Sequence, residues 1–153
     1  MAVETERKFL VNALWTPRGD AKPYRQAYLA EKGCTLRIRR AGEQCFLTVK
    51  GAARGCSRLE FEYEVPYEDA EAMFTLALYP PIEKIRYRVP GPDGRIWEVD
   101  EFHGANEGLV VAEIELESED EPFVKPDWVG EEVTYDKRYT NVALSREPYS
   151  RWL

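Results

Sequence analysis

The 153-residue chain has three cysteines and one histidine, and that scarcity removes much of enzyme chemistry at once. Cys34, Cys45 and Cys56 form no CxxC pair and are odd in number, so neither a disulfide framework nor a thiolate zinc site fits. They read as small buried hydrophobes. His103 stands alone beside Gly104 in a turn-like stretch. A His-based triad, a histidine metal cluster or an HExxH helix therefore lacks its partners. No apolar run approaches the roughly 18 residues of a membrane helix. No basic-then-apolar leader opens the chain, so the expected compartment is the cytoplasm. Positive charge is also in deficit: 21 Lys plus Arg against 28 Asp plus Glu give −7. That argues against general nucleic-acid binding but leaves room for a local basic site. Whatever chemistry the chain performs falls to carboxylates, Lys and Arg.

What is present is enough for one modest core. Hydrophobic residues make up 44% and aromatics 12%, which can offset the entropy of ordering the chain. With no linker, repeat or low-complexity stretch, residues 1–153 are expected to form a single domain.

The dominant pattern has period two. Glu4, Glu6 and Lys8 alternate with Val3, Thr5, Arg7 and Phe9. Arg37 and Arg39 oppose Leu36 and Ile38, and Thr48 and Lys50 oppose Leu47 and Val49. Glu60, Glu62 and Glu64 oppose Leu59, Phe61, Tyr63 and Val65. Lys84, Arg86 and Arg88 oppose Ile85, Tyr87 and Val89, while Glu98 and Asp100 oppose Trp97 and Val99. Glu113, Glu115 and Glu117 oppose Ala112, Ile114 and Leu116. Successive side chains of a strand point to opposite faces, so each segment has one charged and one apolar face.

Ala41-Gly42-Glu43, the stretch Pro90 to Gly94 and the stretch Gly104 to Gly108 read as hairpin connections. With a further strand near Tyr24 to Leu29, the count is about eight antiparallel strands, enough for a closed or nearly closed barrel. Pro66 followed by acids and an apolar run toward Leu78 reads as a helix start. The tail from about Glu131 to Arg146 reads as partly helical. The fold class is α+β, mainly β: an eight-stranded antiparallel barrel with helices packed outside.

The charged faces admit two readings. One is the solvent side of a sheet, with ordinary cross-strand pairs. The other is an enclosed lumen. Three features favour the lumen. The charges are sorted by strand, acidic on three and basic on two. The opposite faces are rich in Trp, Tyr, Phe, Ile and Val, and the helices need such a surface to cover. Like charges two residues apart sit about 7 Å from each other along a strand, which is costly unless opposite charge lies between them. Clustered carboxylates without His or Cys are hard oxygen ligands suited to Mg²⁺ or Mn²⁺. Clustered Lys and Arg suit a compact polyphosphate. Metal and phosphate in one charged lumen is the composition of a phosphoryl-transfer site.

Glu4-Thr5-Glu6-Arg7-Lys8 resembles the ExExK signature of the CYTH, or triphosphate tunnel metalloenzyme, superfamily. The other blocks follow the same order: Leu36 to Arg39, Thr48 to Lys50, Glu60 to Glu62, Lys84 to Arg86, Trp97 to Phe102, and Ala112 to Leu116. Trp128 to Gly130, Glu132 to Thr134 and Tyr139 to Asn141 also fit. The length is similar to that of the short single-domain bacterial type. The resemblance implies a tunnel that binds triphosphate through basic residues and a divalent metal through acidic ones. Glu4, Glu6, Glu113 and Glu115 would be metal ligands. Glu60, Glu62 and Asp100 would complete a second metal or hold the attacking water. Lys8, Arg37, Arg39, Lys50, Lys84 and Arg86 would grip phosphate oxygens, and Arg58, on the Glu60 face, would join them. Tyr28 would pair with a catalytic Lys84.

The implied reaction is metal-dependent hydrolysis of inorganic triphosphate to diphosphate and phosphate. Nucleoside triphosphate, thiamine triphosphate and ATP cyclisation remain alternatives within the superfamily, and a non-catalytic polyphosphate-binding module is a rival from another class. Trp97 falls with the apolar set, and Trp15, Trp128 and Trp152 look peripheral, so no base-stacking site is evident. The expected partner is a triphosphate-containing small molecule, with no nucleic acid and no membrane; a homodimer is left open. Lys137 and Arg138 are expected on an exposed helix face, Arg54 in a loop, and Glu83 on the outer face.

Overall fold

A computed structural model describes residues 2–152. The chain order is β1 (Val3–Val11), β2 (Asp20–Ala30), β3 (Thr35–Ala41), β4 (Gln44–Lys50) and β5 (Ser57–Val65). Then come α1 (Tyr67–Phe74), β6 (Ile82–Pro90), β7 (Ile96–Phe102), β8 (Val110–Glu115), β9 (Val129–Glu132) and α2 (Asn141–Arg146). All ladders are antiparallel. The sheet runs β5-β4-β3-β2-β6-β7-β8-β1, and β1 pairs back to β5, which closes an eight-stranded barrel.

The closure is short. β1 pairs β5 only from Val3 to Thr5, and farther along, the same edge of β1 is taken by β9, with Phe9 opposite Glu132 and Val11 opposite Val129. The first residues of the stretch read as a helical tail are therefore strand. The free edge of β1 explains it: the Arg7 guanidinium donates to both Glu132 oxygens, Nε at 2.8 Å and Nη2 at 2.6 Å. Helix in that tail is limited to α2, with a single 3₁₀ turn at Lys137–Tyr139 before it.

The barrel wall sorts side chains by parity. The outer face of β1, β6, β7 and β8 carries Phe9, Val89, Trp97, Val99, Ala112 and Ile114, and Trp128 and Trp15 pack over it. Trp97 contacts Phe9, Phe123 and Trp128 edge-on at 5.6, 5.8 and 5.8 Å. Trp128 is thus core rather than peripheral. It is carried in by the long β8–β9 connection, a loop whose burial leaves no periodic trace in sequence. Gly91 lies so close to the Trp97 indole that a Cβ there would sit 2.9 Å from its Nε1.

α1 opens at Pro66 with Glu68 and Asp69 in its first turn, where the helix dipole favours acids. Its Ala70 and Phe74 bury against Ala27, Ile38 and Cys45 on the outside of β2–β4. Of the three cysteines only Cys45 is buried; Cys34 is exposed and Cys56 intermediate. α2 does something different. Its Leu144 packs with Ile82, Phe102, Leu109 and Val111. Ile82, Phe102 and Val111 share the parity of the charged inward positions, so this cluster plugs one end of the barrel. Among the described residues, no helix is long and apolar enough to cross a membrane.

Candidate active site

The charged faces turn inward. A cavity with a free volume of about 70 Å³ is lined by Glu4, Glu6 and Lys8 of β1, Tyr28 of β2, Arg37 and Arg39 of β3, Lys50 of β4, Arg58 and Glu60 of β5, Arg86 of β6, Glu98 of β7 and Glu113 of β8. Thr140, Asn141 and Val142, at the start of α2, form its floor. Register brings the acids of distant segments together: Glu6 lies opposite Glu115 and Lys8 opposite Glu113, while Glu113 also lies opposite Glu98.

The acidic side is under repulsive stress. Burial, then Glu113 and Glu4, push the Glu6 carboxyl up to about 8. Burial, with Glu4, Glu98, Glu60 and Glu113, also raises Glu115. Glu113 goes the other way. Burial opposes its ionisation, but Lys8 and Arg86 outweigh that and hold it at about 2. Lys50 bridges Glu4 at 3.0 Å and Glu60 at 3.2 Å. It thereby stitches β1, β4 and β5 across the closing seam.

The basic side is held differently at each position. Arg37 donates to Thr48 Oγ1 at 3.2 Å and lies 3.5 Å from Glu62. Arg86 donates Nε to Asp100 Oδ1 at 2.7 Å and Nη2 to Asp100 Oδ2 at 2.9 Å. Lys84 Nζ donates to the same Oδ2 at 2.7 Å and to Asn141 Oδ1 at 3.2 Å. Burial pulls the Lys84 ammonium down to about 7, against the pull of Asp100. Burial opposes charge on Asp100 too, but Arg86 and Lys84 prevail and hold it well below the usual carboxylate range. Arg39 donates Nε to Gln26 Oε1 at 2.9 Å. Among the described residues, Lys8, Arg39 and Arg58 are inward cations with no carboxylate within ion-pair distance.

The positions read from sequence divide as follows. Glu4, Glu6, Lys8, Tyr28, Arg37, Arg39, Lys50, Arg58, Glu60, Arg86 and Glu113 line one cavity. Glu62 and Glu115 are solvent-exposed and do not line that cavity. Asp100 is fully buried with both oxygens bonded to cations, so it organises the basic wall and does not line the cavity. Lys84 is likewise buried and does not line the cavity. The tyrosine beside it is Tyr24, directly opposite in register with its ring centre 5.8 Å from Nζ, rather than Tyr28. Tyr28 lies opposite Arg37.

Outside the lumen, His103 sits between Glu101 and Glu107, and Glu83 lies 3.9 Å from Arg25. Arg54 is exposed, as are Lys137 and Arg138, the latter paired to Asp136.

Sequence reasoning gave no role to Tyr24, Gln26 or Asn141. The Tyr24 ring centre lies 4.9 Å from the guanidinium carbons of both Arg39 and Arg86. Gln26 is buried between Arg39 and Asn141. Tyr24 and Gln26 share the parity of Tyr28, a signal that was legible. Asn141 reaches the lumen only because α2 folds into the barrel end, for which no local signal exists.

Among the described residues no group of three or more Asp, Glu, His or Cys is gathered tightly enough to hold a metal as it stands. The donor chemistry nevertheless suits a hard divalent cation. Glu4, Glu6 and Glu113 are all-oxygen donors whose mutual repulsion a cation would relieve.

Residues 2–145 match the CYTH domain family. An inorganic triphosphatase of Acetivibrio thermocellus is 46% identical over 155 residues, spanning 99% of each chain. An inorganic triphosphatase of Nitrosomonas europaea is 40% identical over 146 residues, covering 93% of this chain and 96% of its own. The crystal structure of an inorganic triphosphatase superposes with a TM-score of 0.70 at 38% identity, covering 95% of both chains. A closed barrel with an inward charged wall, matched in sequence over nearly its whole length, makes this chain a member of the CYTH domain family.

Proposed function

We propose that this protein is a metal-dependent triphosphatase that hydrolyses inorganic triphosphate to diphosphate and phosphate. The observation that carries the reading is a cavity of about 70 Å³ in which the unpaired Lys8, Arg39 and Arg58 share one lining with Glu4, Glu6 and Glu113. The lining is almost wholly charged or polar and Tyr28 is its one aromatic residue, so it offers a nucleoside or thiamine ring little to stack on. A receptor that only bound polyphosphate would gain nothing from buried, mutually repelling carboxylates.

Mg²⁺ or Mn²⁺ held by Glu4, Glu6 and Glu113 would neutralise phosphate charge and acidify a bound water. The chain's own residues do the rest. Arg37, Arg39, Lys50, Arg58 and Lys8 bind the non-bridging oxygens and spread the charge of the loose transition state. Arg86, clamped by Asp100, adds a fixed guanidinium to the same cavity, and Lys84 balances Asp100 from behind. Water oxygen attacks the terminal phosphorus, the P–O bond to diphosphate breaks, and Glu60, in the cavity lining, takes the water's proton. Tyr28, opposite Arg37 across the β2–β3 ladder, lines the same cavity and helps to orient the chain of phosphates. The reading takes residues 1–153 as one tunnel domain of a cytoplasmic enzyme.

The test is phosphate release from tripolyphosphate, ATP and thiamine triphosphate, each with Mg²⁺, Mn²⁺ or chelator. Tripolyphosphate should be turned over fastest, and only with metal. Full activity in chelator, or a preference for ATP, would overturn the reading.

A further inference from the structure

The inward arginines are not treated alike. Arg37 faces Glu62, Arg86 is clamped by Asp100, and Arg88 pairs Glu98 at 3.1 Å. Among the inward arginines described, Arg39 alone donates its Nε–H to a side-chain amide. Gln26 lies directly opposite it across the β2–β3 ladder and accepts its Nε–H at 2.9 Å. Gln26 is 0% exposed. Its amide has no freedom to turn over, because Nε2 donates at 3.1 Å to Asn141 Oδ1, which also accepts from Lys84 Nζ. A turned amide would aim its NH₂ at the guanidinium, donor against donor.

The fixed Nε bond leaves the terminal nitrogens of Arg39 for the cavity it lines. The charge there is uncompensated. Burial, with Arg37 and Arg86 nearby, pulls the Arg39 guanidinium down to about 10, which is the electrostatic strain an incoming polyanion relieves.

We propose that Gln26 is a positioning residue whose neutrality is its function: it orients Arg39 for phosphate without supplying the negative charge that would compete with phosphate. The inference rests on a polyphosphate occupying the cavity, as in the function proposed above. A glutamate at this position would keep the Nε bond and form an ion pair inside the wall while losing the bond to Asn141, so against a variant that loses both bonds it separates orientation from charge. A methionine would fill the space and remove the acceptor.

The test uses the full-length protein, stripped of metal on a chelating resin so that nothing turns over. Tripolyphosphate affinity is measured by calorimetry, and melting temperature is measured without ligand. Affinity should fall in the order wild type, Gln26→Met, Gln26→Glu, with the last weakened about tenfold or more. Melting temperature should follow a different order, with Gln26→Met, which loses both bonds, below Gln26→Glu, which keeps the one to Arg39. A residue that merely supports the wall would move both quantities together. Gln26→Glu binding as tightly as wild type, or losing affinity only in step with melting temperature, overturns the proposal. Wild-type protein that binds no tripolyphosphate, with or without an added divalent cation, overturns the functional reading beneath it as well.

Discussion

Replacing Asp100 by Asn keeps the shape of the side chain and removes one charge from the most constrained point of the wall. Asp100 is 0% exposed and accepts three charge-assisted bonds, from Lys84 Nζ at 2.7 Å and from Arg86 Nε and Nη2 at 2.7 and 2.9 Å. The variant leaves the buried Arg86 guanidinium without its clamp and takes Lys84, already at about 7 with Asp100 present, toward its neutral form, and removing one partner of a buried pair costs about 3–5 kcal/mol. For a chain of this length each kcal/mol lowers the melting temperature by roughly 2–4 °C, so the expected drop is roughly 6–20 °C. Scanning calorimetry in chelator measures it. The sign with pH follows from the depressed carboxyl. Its contribution is complete above the unfolded carboxylate value of about 3.9 and is lost as pH falls below it toward the lower folded value. The deficit of the variant should therefore be full at pH 7 and should narrow in strong acid. A drop below about 2 °C at pH 7 would refute the reasoning. So would an unchanged metal-free melting temperature combined with lost metal affinity, which is the behaviour of a ligand rather than of an organiser.

Glu6→Gln removes a carboxyl that burial, Glu113 and Glu4 already disfavour. The metal-free melting temperature should hold or rise, while metal-dependent phosphate release falls by about a hundredfold or more, read in one thermal-shift and one release assay. Leu144→Ala empties the plug where α2 meets Ile82, Phe102 and Val111. It should cost about 2–5 kcal/mol in denaturant unfolding. Adding Mn²⁺ to wild-type protein at a hundred times its dissociation constant should stabilise it by about 2.7 kcal/mol, and chelator should reverse the shift.

Much of the fold was legible because period two survives in nearly every strand. Arg37-Ile38-Arg39 and Glu113-Ile114-Glu115 state in three residues which side is charged. The direction of the charged side followed from the aromatic weight of the other: Trp97 and Phe9 need cover, and Trp128 and Phe123 supply it. What stayed hidden depends on tertiary register rather than local pattern. Asp100 has the same parity as Glu98, yet it lies opposite Arg86 across the β6–β7 ladder and is consumed by that pairing. Tyr24 and Tyr28 occupy equivalent positions of one strand, and only the β2–β6 register sets Tyr24 against Lys84. The plug is a six-residue helix, too short for a periodic signal, and what recommends it is the apolar end of the barrel that it fills.

The same register marks where the barrel is weakest. Between β6 and β7 the ladder runs from Lys84 to Pro90, whereas β1 meets β5 only from Val3 to Thr5. The outer side of this seam is bare: Val3 and Leu59 face each other at 46% and 50% exposure, and no helix covers them. Few buried apolar contacts and a short ladder define a region that opens locally before the whole protein unfolds. The Glu6 amide, bonded to the Cys56 carbonyl at 3.1 Å, and the Glu60 amide, bonded to the Ala2 carbonyl at 2.8 Å, should exchange hydrogen sooner than the amides of β6 and β7. Lys50 ties Glu4 to Glu60 across this line, so an occupant of the acidic cavity bears on the seam itself. Metal with a non-hydrolysed phosphate ligand should slow exchange at Glu6 and Glu60 more than at Tyr87 or Val99. Equal protection at all four amides would mean that the seam is not a separate opening unit and that site occupancy stabilises the barrel only as a whole.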